Sequence, residues 1–137
     1  MKVLIVDDQP DVLEMLKEFF ARKFPQCQVL DSKNGKDALA VLDEHKDIKL
    51  IISDFIMPEV NGLVLANITK TIHPDVKIVI ISAYMDVEVH ILKERNIVED
   101  IIGKPFGIKA FVSVVEPIIN SIESQTNCFT RKNHMKM

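Results

Sequence analysis

Three kinds of reactive side chain recur at matching places in this sequence: the carboxylates of the pair Asp7-Asp8 and of Asp54, the hydroxyl of Ser82 and the ammonium of Lys104. Each follows a short apolar run. Lys2 to Val6 leads to Asp7-Asp8, Ile48 to Ser53 to Asp54, Val76 to Ile81 to Ser82, and Ile97 to Ile102, interrupted by Glu99-Asp100, to Gly103-Lys104-Pro105. Runs of that length read as buried strands, and open α/β sheets place their chemistry at the carboxyl ends of strands. Taken singly, each residue has a plain explanation: acids that complement a helix dipole, a turn serine, a solvated loop lysine. Their placement at the corresponding ends of four strands argues for one shared site.

The chemistry of such a site is specific. Two carboxylates about 4 Å apart repel by roughly 4 kcal/mol at an effective dielectric of 20, so three of them need positive charge nearby. A hard divalent cation takes oxygen ligands, and two carboxylates with a backbone carbonyl suit Mg²⁺. Lys104 adds a second positive group. A cation and a lysine around one exposed carboxylate describe a place to put a phosphoryl group on that carboxylate, because phosphoryl transfer asks mainly for in-line positioning and charge neutralisation. An aspartyl phosphate is an established type of covalent intermediate, and Ser82 could donate to a phosphoryl oxygen.

The elements that must hold these groups alternate along the chain. Pro10 fits the first turn of a helix, and Leu13, Leu16, Phe20 and Phe24 follow at helical spacing up to Pro25. Cys27 to Asp31 reads as a second strand, Asn34-Gly35 as a turn, and Ala38, Leu39, Val41 and Leu42 as a helix running to about Lys46. Asn61-Gly62 opens a third helix, which must stop before His73-Pro74. Asp86 is a plausible N-cap for a fourth, through about Asn96. Ile97 to Ile102 is a fifth strand, and Phe111, Val115, Ile118 and Ile122 mark a last helix in which Pro117 predicts a kink or break. Strands alternating with helices imply a parallel sheet covered on both faces. The reading divides the chain into one domain, residues 1–123, and a polar basic tail, 124–137, expected to be disordered.

Composition narrows the function classes. The 137 residues are 47% apolar and 27% charged, which describes a soluble globular domain. Net charge is −3, and residues 124–137 contribute +3 through Arg131, Lys132 and Lys136, leaving −6 for residues 1–123. That balance argues against a nucleic-acid surface. Cys27 and Cys128 lack metal-type spacing and read as free thiols of a reducing compartment. His45, His73, His90 and His134 share no ligand spacing. With no signal-peptide core and no membrane-length apolar run, the expected location is cytoplasmic.

Val6-Asp7-Asp8, Asp54 with Met57-Pro58 and Asn61-Gly62, Ser82-Ala83, and Lys104-Pro105-Phe106 together resemble the receiver domain of two-component response regulators. The resemblance spans residues 1 to about 123. It implies a flavodoxin-like, doubly wound, five-stranded parallel sheet in the order 2-1-3-4-5 with five helices. It also implies that Asp54 accepts phosphate from a sensor histidine kinase or histidine phosphotransfer protein, in a domain that catalyses its own phosphorylation and dephosphorylation without being a conventional enzyme. Mg²⁺ is then held by Asp8, Asp54 and the backbone carbonyl of Ile56, with Asp7 acting through water. Ser82 and Lys104 engage the phosphoryl group, the Lys104-Pro105 bond is cis, and output runs through the face of helix four, strand five and helix five, to a protein partner or to a phosphorylation-linked homodimer.

Some positions depart from the family pattern or tune it. Ile101 stands where an aromatic switch residue is usual, and its β-branched side chain has few rotamers. Ile97-Val98 replaces a smaller pair. Ile56 and Tyr84, two residues after Asp54 and Ser82, occupy places that tune the access of water, and their bulk predicts a long-lived phosphoryl state. Four other readings compete with a stand-alone receiver: a phosphorelay shuttle, the N-terminal piece of a longer regulator, an aspartyl-phosphatase-like enzyme and a flavodoxin-like cofactor carrier. The phosphatase mechanism wants an acid at position 56, where this chain has isoleucine. An acidic strand edge repels a flavin phosphate.

Overall fold

Ten elements alternate without exception in the computed structural model, which describes residues 1–57, 60–83 and 87–135, with 126–135 as helix backbone only. They are β1 (Lys2–Val6), α1 (Pro10–Lys23), β2 (Gln28–Ser32), α2 (Gly35–Glu44), β3 (Ile48–Asp54), α3 (Gly62–Ile72), β4 (Lys77–Ser82), α4 (Val87–Glu94), β5 (Asp100–Gly103) and α5 (Ile108–Met135). The strands form one parallel sheet in the order β2-β1-β3-β4-β5. This is the flavodoxin-like α/β architecture that the motifs imply. The chain winds from β1 out to β2, then crosses back over β1 to β3, so the order reverses between β1 and β3. A crevice opens at such a reversal, outside the carboxyl ends of the strands.

Strand periodicity distributes the core. Leu4, Ile51, Ile78 and Ile80 share one buried cluster with Leu42 of α2, Leu65 of α3, and Val89 and Leu92 of α4. Their alternating neighbours Val3, Ile5, Leu50, Ile52, Val79 and Ile81 are equally buried and point to the opposite face. There α1 lies against β1 and β2 and buries Leu13, Leu16 and Phe20. Phe20 is fully enclosed, and its truncation to alanine would cost about 3–5 kcal/mol. No described helix is long and apolar enough to cross a membrane.

Local chemistry sets the boundaries. Pro10 sits at the start of α1. Asn34 and Asn61 cap α2 and α3, accepting from the N–H groups of Asp37 at 2.8 Å and Val64 at 3.0 Å. His73 ends α3 before Pro74, as the proline demands.

Two expectations are corrected. The fifth strand begins at Asp100 rather than Ile97. Asn96 adopts a left-handed φ of 58°, which asparagine tolerates, and the resulting turn sends the N–H groups of Ile97 and Val98 back to the Leu92 carbonyl. The last helix does not stop near Glu123. Its backbone continues through Met135, across Pro117, because residues 118–135 contain no glycine or proline to end it. Residues 106–137 form a compact unit distinct from residues 1–105. Within it Phe111, Val115, Ile119 and Ile122 form the buried stripe, so Ile119 takes the place expected for Ile118.

Candidate functional site

Register decides which residues meet. Val6 pairs with both Ser32 and Ser53, Asp54 with Ile81, and Ser82 with Gly103. The carboxyl ends of β1, β3, β4 and β5 are therefore level, and the residues just beyond them share one edge of the sheet.

Asp7, Asp8 and Asp54 each offer a carboxylate oxygen within 4.8 Å of the others. Lys104 Nζ lies 3.3 Å from Asp54 Oδ2 and 3.9 Å from Asp7 Oδ2. The three acids differ in their surroundings. Asp8 is exposed, Asp54 keeps 9% of its accessible surface and Asp7 only 1%. Burial pushes the Asp7 carboxyl above the ordinary carboxylate range; the Gln9 N–H, donating to its Oδ1 at 2.9 Å, and Lys104 hold it down, while Asp54 and Asp8 push it further up. The other oxygen, Asp7 Oδ2, is buried without a hydrogen-bond partner. Buried carboxylate oxygens rarely stay unpartnered.

That orphaned oxygen and the charge sum point the same way. Three carboxylates and one ammonium total −2, which a divalent cation cancels, and the donor set is all oxygen, as Mg²⁺ prefers. The residues present fit that ion.

A cavity of about 230 Å³ opens beside Asp54, lined by Asp54, Ile56, Ser82, Ala83 and Lys104. It would hold a group of phosphoryl size with water. The backbone around it is fixed from several sides. The Lys104 N–H donates to the Ser82 carbonyl at 2.8 Å, and the Lys104-Pro105 bond is cis. At the start of α3, a side chain on Gly62 would come within 2.8 Å of the Asp54 carbonyl oxygen and of Phe55 Cα. Glycine at 62 is thus what lets the helix abut the acceptor's own backbone.

The structure therefore gathers Asp7, Asp8, Asp54, Ser82 and Lys104 at one corner, with the half-exposed Ile56 side chain at its mouth. Ile101 is not among the cavity's lining residues. From β5 it pairs with Ile80 of β4 and packs against the α2–α4 core. Tyr84, the second access-tuning position, and Asp86, the expected cap of α4, lie outside the described residues. Sequence reasoning did not single out the Gln9 N–H, a backbone donor that leaves no signature.

The family model of the response regulator receiver domain matches residues 3–116, and the chain belongs to that family. NtrC of Azospirillum brasilense, a DNA-binding transcriptional regulator, is 39% identical over 119 residues, covering 87% of this chain and 24% of NtrC. A chemotaxis protein CheY homolog of Campylobacter jejuni is 37% identical over 65 residues, 47% of this chain and 49% of that one. Among solved structures, the response regulator TrrA of Thermotoga maritima, determined in complex with Mg²⁺-BeF, superposes with a TM-score of 0.72 at 25% identity, over 85% of this chain and 96% of TrrA. The chain spans about a quarter of the length of the NtrC proteins it matches. Receiver domains of this family are signalling switches of two-component systems.

Proposed function

We propose that this chain is a phosphorylation-driven switch in which Asp54 accepts a phosphoryl group from a phosphohistidine on a sensor kinase or histidine phosphotransfer protein. The observation that carries the reading is Lys104 Nζ standing between Asp54 and Asp7 in a three-carboxylate corner beside a cavity of phosphoryl size. An Asp54 carboxylate oxygen attacks phosphorus. The O–P bond forms as the N–P bond breaks, and the electron pair returns to the leaving imidazole, which takes a proton from solvent. Lys104 faces the charge on the phosphoryl oxygens, and the Ser82 hydroxyl donates to one of them. Asp8, Asp54 and the Ile56 carbonyl would hold Mg²⁺, with Asp7 acting through water. When bound, the ion supplies the positive charge that neutralises the transferring group. TrrA, crystallised with Mg²⁺-BeF, supports that assignment by relationship.

The receiver occupies residues 1–123, and its output is a protein contact, including a phosphorylation-linked homodimer. Ile101 makes that output independent of an aromatic rotamer flip. Ile56, 56% exposed at the cavity, hinders attacking water and lengthens the phosphoryl lifetime; loss of phosphate from purified protein within seconds would contradict this. The greater length of the NtrC relatives favours one second reading, a receiver piece of a longer regulator with the same site chemistry.

The test is incubation with Mg²⁺ and acetyl phosphate, read by intact mass. Wild type gains one phosphoryl group and Asp54→Asn gains none. Equal labelling of both proteins refutes the assignment.

A further inference from the structure

An acceptor carboxylate is held only as well as the peptide unit that follows it. β1 pairs with β3 as far as Val6 and Ser53, so Asp54 has its ladder partner on β4 alone. Past that point three consecutive main-chain groups are secured separately. The Asp54 carbonyl accepts from the Ser53 hydroxyl at 2.9 Å. The Phe55 N–H donates to the Ile81 carbonyl at 2.9 Å, and the Phe55 carbonyl accepts from the Gly62 N–H at 2.7 Å. The first two bonds grip opposite ends of one planar unit, the peptide joining Asp54 to Phe55.

Of those three bonds, the Ser53 bond is made by a side chain. Ser53 is fully buried and follows the apolar run Leu50-Ile51-Ile52, where a β-branched apolar residue would suit the strand better. A buried hydroxyl costs free energy unless it is bonded, and this one is spent on the carbonyl of the acceptor residue.

We infer that Ser53 is a positioning residue for the chemistry at Asp54. Its hydroxyl sets the rotation of the Asp54–Phe55 peptide plane, and through it the aim of the Asp54 carboxylate toward Lys104 and the course of the chain into Ile56. The inference rests on Asp54 being the phosphoryl acceptor.

The test compares Ser53→Ala, Ser53→Val and Ser53→Thr in the full chain. Phosphorylation rate with acetyl phosphate and Mg²⁺ is read by intact mass, beside the melting temperature. Threonine and valine share a shape and differ in the hydroxyl, so their ratio cancels packing changes. The Ala and Val variants should react about fivefold more slowly than wild type, the scale of one lost hydrogen bond. Thr should recover to within about twofold of wild type, with the Val variant melting no lower than Thr. Val and Thr reacting equally fast, or rates that follow melting temperature instead of the hydroxyl, overturn the inference while leaving the Asp54 assignment intact. A wild type that takes up no phosphoryl group overturns both.

Discussion

The two edges of the sheet handle charge in opposite ways. At the amino edge cations and acids stand in opposed pairs: Lys2 with Asp47 at 3.1 Å, Lys77 with Glu99 at 3.5 Å, Lys93 with Asp100 at 2.9 Å. Hydrogen bonding from Lys2 even holds the Asp47 carboxyl below its ordinary range. At the carboxyl edge three carboxylates crowd together, two of them, Asp54 and Asp7, beside Lys104, and the most buried of the three is pushed the other way. Exposed one-to-one pairs contribute little and are not built to change. A corner left two charges short of neutral is unfavourable alone, and local conflicts of this kind mark candidate functional sites. The same sheet thus has one edge where charges are paired off and one that keeps an excess of negative charge, which the proposed cation would offset.

The sharpest way to break this contrast is Lys104→Ala. It should slow phosphorylation of Asp54 roughly 10²-fold, as loss of a transition-state charge partner does, while leaving Mg²⁺ binding largely intact; an unchanged rate by intact mass would remove Lys104 from the site. Next in size is the response to metal. Mg²⁺ at one hundred times its Kd should stabilise wild type by about 2.7 kcal/mol, seen as a higher Tm, and much less for Asp54→Asn or Asp8→Asn; equal shifts in all three would refute a shared site.

Acid pH offers a subtler probe. Because burial raises the folded-state pKa of Asp7, the folded protein holds that proton more tightly than the unfolded chain. Its contribution to stability is therefore present below the unfolded value of about 3.9 and is lost as pH rises through the folded pKa. Without metal, Asp7→Asn should melt above wild type at neutral pH, with the gap closing on acidification. Added Mg²⁺ should shrink or reverse it. The smallest effect belongs to the other edge: Lys77→Ala should cost less than about 1 kcal/mol and leave both phosphorylation and the metal response unchanged.

Much of this edge was legible in the sequence because strand-end residues combine two strong signals, an apolar run and an abrupt polar stop. Asp7, Asp8, Asp54, Ser82 and Lys104 all announce themselves that way, and Asn61-Gly62 marks the helix start that abuts Asp54. The strand order was carried by resemblance, since periodicity says nothing about which strands adjoin. What stayed hidden has physical reasons. The positive φ of Asn96, which shortens β5, depends on a turn that no periodicity reveals. The continuation of α5 past Glu123 was obscured by polar residues that break the apolar stripe without breaking the helix. Ser53 is masked by its neighbour, since the polar stop of its run reads as Asp54; the serine's meaning appears only when its acceptor is seen to be the Asp54 carbonyl.

The most direct measurement is an amide NMR titration of wild type and Asp54→Asn with beryllofluoride, with and without Mg²⁺. If the acidic corner is the phosphoryl site, wild type shifts around Asp54, Ser82 and Lys104 only when both reagents are present, and Asp54→Asn does not. The same shifts in Asp54→Asn, or shifts in wild type that ignore Mg²⁺, would contradict it.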